Sequence, residues 1–187
     1  PGANFAAASQ ALRALDPSRP IQYERFDHDD PSDDMDSVMY PSVEYLHSVG
    51  QNGSRRPFFV CEYAHAMGNS LGGFKEYWDL FEKYDKLQGG FIWDYQDQGL
   101  LLEKDGRDYF AYGGDFGPEG TPSDHNFLNN GLIQADKNLN PHILEAKKIM
   151  QNVKFYKDGL KTNEVKVKNW YFFRDLSNYK IDWTLIE

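Results

Sequence analysis

Basic residues are scarce. The 187-residue chain carries 20 Lys and Arg against 29 Asp and Glu, a formal net charge of −9. A chain of that sign repels a phosphate backbone, so nucleic acid is not an expected partner. Cysteine is nearly missing, with Cys61 alone. That rules out a disulfide framework and a cysteine zinc site. No apolar run approaches membrane-spanning length, so no membrane partner is expected. None of the Gly-Gly pairs has dinucleotide or P-loop spacing, which removes the usual phosphate cradles. No methionine opens the chain and no signal peptide precedes its first helix. Pro1-Gly2-Ala3-Asn4 reads as a cut from something longer.

Aromatic residues are abundant, at 16%, which suits a packed core or a surface that stacks on flat rings or sugars. The most informative stretch runs from Phe58 to Ser70. Phe58, Phe59, Val60 and Cys61 form an apolar run of the kind found in a strand covered on both faces. Glu62 arrives where the run stops, followed by Tyr63, His65, Met67 and Asn69. A carboxylate at the end of a buried strand is costly unless it is used or paired. In barrels of alternating strands and helices, active sites occupy that end. A helix is expected from about Leu71 to Tyr84, with Leu71, Phe74, Trp78 and Phe81 on its buried face.

Elsewhere, Asn4 reads as the N-cap of a helix over Phe5–Leu15, with an apolar stripe at Phe5, Ala8, Leu12 and Leu15. Ile21 to Glu24 reads as a short strand. The acidic run from Arg25 to Asp36 reads as a solvated loop, with a hard-cation site as its alternative. Val43 to Val49 is expected to be helical. Leu87 to Asp94 is a second buried strand ending in Asp94, Gln96, Asp97 and Gln98. Lys104-Asp105-Gly106-Arg107 is a hairpin turn. Asn129 to Ile133 is a third polar junction, and Pro141 starts a helix reaching about Met150. Beyond Gln151 the period becomes two, at Val165 with Val167 and from Tyr179 to Leu185, as in an antiparallel sheet with one wet face.

Alternating strands and helices imply a parallel sheet. The fold class expected is α/β: four strand–helix units over residues 1–152 that fit half a (β/α)8 barrel or a small open α/β sheet, then the first strands of an all-β sandwich over 153–187. A whole barrel takes about 250 residues and a sandwich about seven strands, so both domains are expected to be truncated. Glu24, Glu62, Trp93 with Asp94, and Asn130 all fall at or just after strand ends, as in a barrel that gathers one site from many strands. Carboxylates with a tryptophan, a tyrosine and an asparagine, and no phosphate loop, point to a sugar. Retaining glycosidases use two carboxylates about 5–5.5 Å apart.

Cys61-Glu62-Tyr63-Ala64-His65-Ala66-Met67-Gly68-Asn69-Ser70, Gly89-Gly90-Phe91-Ile92-Trp93-Asp94, Tyr112-Gly113-Gly114-Asp115-Phe116-Gly117 and Asn130-Gly131-Leu132 closely resemble the large bacterial β-galactosidases of glycoside hydrolase family 2. The resemblance covers the whole chain, and implies that residues 1–152 are the C-terminal half of a (β/α)8 TIM barrel and 153–187 the start of the β-sandwich domain. It implies a retaining hydrolase of β-galactosides such as lactose, working by double displacement with Glu62 as nucleophile and Tyr40 beside it. It implies that His65, Trp93 and Asn130 bind the sugar. It also implies a sodium ion held by the Phe127 carbonyl and the Asn130 side chain, and a magnesium ion whose ligands lie upstream of Pro1. The resemblance further implies an acid/base glutamate upstream of Pro1, the remaining domains of the parent chain as partners, and a homo-oligomer when intact. The compartment stays open between bacterial cytoplasm and periplasm. At Ser123 the family usually has asparagine, so its role is open.

Taken without the resemblance, Glu62 reads equally as a salt-bridge partner for an arginine, Trp93 as barrel filling, and Asn130 as a turn cap. Cys61 beside His65 raises a thiol nucleophile, though a lone cysteine in a strand is usually core. A related β-glucuronidase or β-mannosidase and a non-catalytic sugar-binding module remain the alternatives.

Overall fold

The computed structural model describes residues 2–24, 30–53, 55–157, 164–184 and 186. It divides into two compact units, Pro1–Ile149 and Met150–Glu187. Among the described residues no helix is long and apolar enough to cross a membrane.

The first unit opens with helix α1 (Ala3–Leu15). Its N-cap position is Gly2, with no side-chain cap, so Asn4 lies inside the helix rather than capping it. Most of the expected apolar stripe faces outward, with Leu15 at 84% exposure, while Phe5 is half-buried with its ring edge-on to Tyr23 at 4.2 Å. Polar contacts also tie the helix down. Buried Ser9 donates its hydroxyl to the Ser32 carbonyl at 2.9 Å. Arg13 pairs with Asp34 at 2.9 Å and holds that carboxyl below the usual carboxylate range.

Ile21–Glu24 is not a strand. Asp34 competes for its backbone: the Ile21 N–H donates to the Asp34 carboxylate at 2.8 Å, and the Asp34 N–H returns to the Ile21 carbonyl. Such local side-chain bonds displace a ladder. The acidic run is also not simply solvated. Asp33 and Asp36 are buried, and burial pushes the Asp33 carboxyl up. Asp27 and Asp29 lie outside the described residues.

Asp36 instead begins β1 (Asp36–Met39), which leads to α2 (Val43–Asn52), β2 (Phe58–Tyr63), α3 (Phe74–Lys83) and β3 (Leu87–Ile92). Ser42 caps α2 by accepting the Tyr45 N–H. The three strands form a parallel sheet in the order β1-β2-β3. The α3 helix starts three residues later than the sequence pattern suggested, because Leu71 and Gly73 take positive φ. The helices cover one sheet face, where Leu46, Phe58, Val60, Tyr63, Leu71, Phe74, Leu80 and Leu87 are buried together. Each such side chain contributes about 1.5–3 kcal/mol when fully buried.

Tyr63 anchors this core. Its ring stacks on Phe74 at 5.6 Å and meets Tyr77 and Phe81 edge-on, and its hydroxyl accepts the Trp78 indole N–H at 3.1 Å. Gly90 makes the room: a Cβ there would sit 2.9 Å from the Tyr63 ring.

Beyond β3, the strands β4 (Leu100–Lys104) and β5 (Arg107–Ala111) form the expected hairpin, turning through Asp105 and Gly106. The chain then returns along the extension of β3, where Gln96 and Ile133 form a parallel bridge. Helix α4 (Ile143–Ile149) completes the unit.

In the second unit, β6 (Val153–Lys157) pairs antiparallel with β7 (Val165–Asn169). The alternation from Tyr179 does not form a strand among the described residues, and Leu185 lies outside them. An alternating segment needs a neighbouring strand to bond with.

Candidate active site

Strict alternation along β2 would point Glu62 the wrong way. Phe58 and Val60 face the helices, and a period of two would send residue 62 after them. The ladder slips instead: Val38 pairs with Val60, but Met39 pairs with Glu62. Two residues, Cys61 and Glu62, therefore separate Val60 from Tyr63, and Tyr63 takes the next core position. A bulge of this kind re-aims a side chain. It leaves Glu62 half-buried on the face away from the helices.

Tyr40 follows β1, and its N–H donates to the Glu62 carbonyl at 2.8 Å. Its hydroxyl hydrogen-bonds the Glu62 carboxylate. Burial, then the Glu62 charge and that bond, push the Tyr40 phenol up to about 12. The phenol thus stays a donor at neutral pH. Tyr40 itself has positive φ, at 48°.

The His65 ring lies 6.3 Å from the Tyr40 ring and 5.4 Å from Phe127. Phe127 in turn receives the Asn130 side-chain N–H on its carbonyl at 3.1 Å. Trp93 is held by the end of β2 and the loop after it: its N–H donates to the Tyr63 carbonyl, and its carbonyl accepts the Ala66 N–H. The Asp94 N–H donates to the Asn130 carbonyl at 2.6 Å. A continuous row results, from Glu62 and Tyr40 through His65 and Phe127 to Asn130, with Trp93 bonded into its backbone.

Two atoms in this row are unusual. His65 Nε2 and Asn130 Oδ1 are both buried and have no hydrogen-bond partner. Buried polar atoms of that kind are costly in a folded chain unless a ligand completes them. The Asn130 amide is not free to turn, because its Nδ2 is committed to Phe127. Two neutral oxygens, Asn130 Oδ1 and the Phe127 carbonyl, fit the donor chemistry of a hard cation. Among the described residues no group of three or more His, Cys, Asp or Glu is placed to hold a metal ion.

The other candidates are occupied differently. The Asp94 carboxylate accepts the Gln96 N–H and the Gln98 side chain, and Asp97 accepts the Gly131 N–H at 2.7 Å. Glu24 faces the Met39 N–H at 3.4 Å. Burial pushes the Cys61 thiol up, opposite to an activated nucleophile. Ser123 lines an open cavity of about 440 Å3 with Asp124, His125 and Phe127. Sequence reasoning missed the bulge, and it missed Asn140 and His142, whose side chains both reach the Gly131 carbonyl at 2.9 Å. Only Pro141 drew notice there, as a helix start.

The C-terminal ends of β1 and β2 and the loops beyond β2 and β3 bring a carboxylate, a tyrosine, a histidine and an asparagine to one edge of the parallel sheet, the edge at which TIM-barrel domains place their active sites. The profile described as "Glycosyl hydrolases family 2, TIM barrel domain" matches residues 1–155. The chain belongs to that family. Its relatives include proteins named beta-galactosidase from Leuconostoc mesenteroides (42% identical over 99% of this chain), Aeromonas hydrophila (40% over 94%) and Halalkalibacterium halodurans (43% over 95%). The chain spans only 17–19% of the length of these curated relatives. Among solved structures, a beta-glucuronidase from Ruminococcus gnavus superposes with a TM-score of 0.50, at 14% identity, over 77% of this chain and 28% of the other. That likeness concerns the fold alone.

Proposed function

We propose that the chain is part of a retaining β-galactosidase, contributing the second half of the catalytic barrel over residues 1–152 and the start of a β-sandwich over 153–187. The observation that carries this reading is the Glu62 carboxylate on the open sheet face, bonded by Tyr40, with the unpartnered His65 Nε2 and Asn130 Oδ1 along the same row. Glu62 attacks the anomeric carbon. A C–O bond to the carboxylate forms as the bond to the leaving oxygen breaks. A second carboxylic acid, supplied from outside these residues, protonates that oxygen and then takes a proton from water, which cleaves the glycosyl ester. Tyr40 donates to Glu62 and orients it. His65 Nε2 and Asn130 Oδ1 await sugar hydroxyls or a cation, and Trp93 supports the ring.

Phe127 and Asn130 would hold a sodium ion, which when bound offers a positive centre to a sugar hydroxyl. A magnesium ion is assigned to ligands elsewhere in the parent enzyme, together with its other domains and a homo-oligomeric assembly. A panel of aryl glycosides tests the reading on the intact enzyme. Turnover of the β-galactoside should exceed that of the β-glucuronide and β-mannoside by at least about 10²-fold, the size of discrimination a site built on sugar hydroxyls can reach. Preference for the glucuronide or mannoside would replace the galactoside assignment.

Trp93→Ala in the intact enzyme should weaken galactose-type inhibitors by roughly 10-fold, since stacking contributes about 1–3 kcal/mol in comparable ring contacts. It should add no new substrate. Unchanged inhibition constants would make Trp93 a packing residue only.

A further inference from the structure

We infer that His142 is a positioning residue that keeps the Asn130 amide pointed into the site. The inference rests on the function proposed above. The backbone of residues 130–132 is clamped from the Asn130 carbonyl through to the Leu132 carbonyl. The Asn130 carbonyl accepts from Asp94 N, the Gly131 N–H donates to Asp97, and the Leu132 N–H donates to the Asp94 carbonyl at 3.0 Å. The Leu132 carbonyl accepts from Asn140 N at 3.2 Å. The Gly131 carbonyl accepts twice, from Asn140 Nδ2 and from His142 Nε2, both at 2.9 Å. Gly131 has no room for a side chain, because a Cβ would lie 2.2 Å from the Asp97 nitrogen.

Two donors converge on the carbonyl of buried Gly131. They fill both lone pairs and fix the peptide that follows Asn130. The same histidine reaches further. Its Nδ1 lies 3.3 Å from the Ser70 hydroxyl, in the loop that follows β2 and carries His65. With Nε2 donating to Gly131, Nδ1 accepts from Ser70, so one neutral tautomer satisfies both bonds. His142 thereby ties the His65 loop to the Asn130 loop, the two segments that carry the unpartnered polar atoms. Partners of this outer kind hold a binding group's orientation, and losing one typically costs about 10–100-fold in affinity or activity.

The test uses the intact enzyme and compares His142→Ala with His142→Gln. Glutamine places an amide N–H near the position of Nε2 and restores the bond to Gly131. His142→Ala should raise KM for an aryl β-galactoside, the inhibition constant of galactose, and the sodium concentration that half-saturates galactose binding in calorimetry, each by about 10-fold or more. kcat should fall less than KM rises. His142→Gln should stay within about 3-fold of wild type on all of these. If His142→Ala does not fold, Asn140→Ala removes the other donor and should show the same KM-weighted loss. A His142→Ala variant with a lowered Tm but wild-type KM and galactose affinity overturns the inference, as does equal impairment of the Ala and Gln variants. Wild-type enzyme that turns over no β-galactoside would sink the functional reading itself, a separate outcome.

Discussion

Glu62→Gln in the intact enzyme should lower kcat on an activated aryl β-galactoside by about 10⁴-fold or more, the size of loss seen when a nucleophile of a concerted catalytic set is removed. The amide keeps the carboxylate's shape but is a very poor nucleophile. Fold and melting temperature should hardly change, because Glu62 is not part of the core. Tyr63 carries the packing at this strand end, through Phe74, Tyr77, Phe81 and Trp78. Tyr40 loses its carboxylate partner but can donate to the amide oxygen. A variant retaining activity near wild type on such a substrate would remove Glu62 from the nucleophile's role, and the hydrogen bond from Tyr40 would then be structural.

The strand and helix order around this site was legible because apolar runs and their polar ends are local. Phe58 to Cys61 and Gly89 to Trp93 announce strands, covered on one face rather than the expected two since Phe91 is 65% exposed, and the change of residue type at Glu62 and Asp94 announces their mouths. The direction of Glu62 was not legible. It depends on a ladder slip opposite Met39, a non-local event with no composition of its own. The first strand was misplaced for a related reason. Ile21 to Glu24 has strand-forming residues, but Asp33 and Asp34 lie nearby and capture its backbone N–H groups. The strand begins at Asp36 instead, the last residue of what composition marks as a solvated acidic run. Helix α1 illustrates the limit of periodicity. Its stripe has the right spacing, yet burial needs a partner surface, and only Phe5 of the stripe finds one, against Tyr23, while Ser9 and Arg13 make the polar ties. The unpartnered state of His65 Nε2 and Asn130 Oδ1 could be known only once every neighbour was placed.

The chain by itself should hydrolyse no aryl β-galactoside, with sodium and magnesium supplied. Retaining hydrolysis needs a proton donor for the leaving oxygen and a base for the incoming water, about 5–5.5 Å from the nucleophile. Within the described residues Glu24, Asp94 and Asp97, the carboxylates expected at strand ends, are committed elsewhere. Asp94 and Asp97 accept N–H groups that hold the loop at 96–98 and Gly131, and Glu24 faces the Met39 N–H. The loss should be compounded by packing. The parallel sheet has edges at β1 and β3, and Phe91 is 65% exposed on the face opposite the helices, with Phe59 against it at 5.7 Å. Open edges and apolar faces of this kind promote association. Mixing the chain with a fragment that supplies the missing acid/base should restore turnover if the two halves share one barrel. The measurement is aryl β-galactoside hydrolysis by the purified chain, alone and mixed, beside its Glu62→Gln variant. Turnover by the chain alone that disappears in that variant would place the acid/base among these 187 residues, and the carboxylates of Glu24, Asp94 and Asp97 would be the first to exchange for amides.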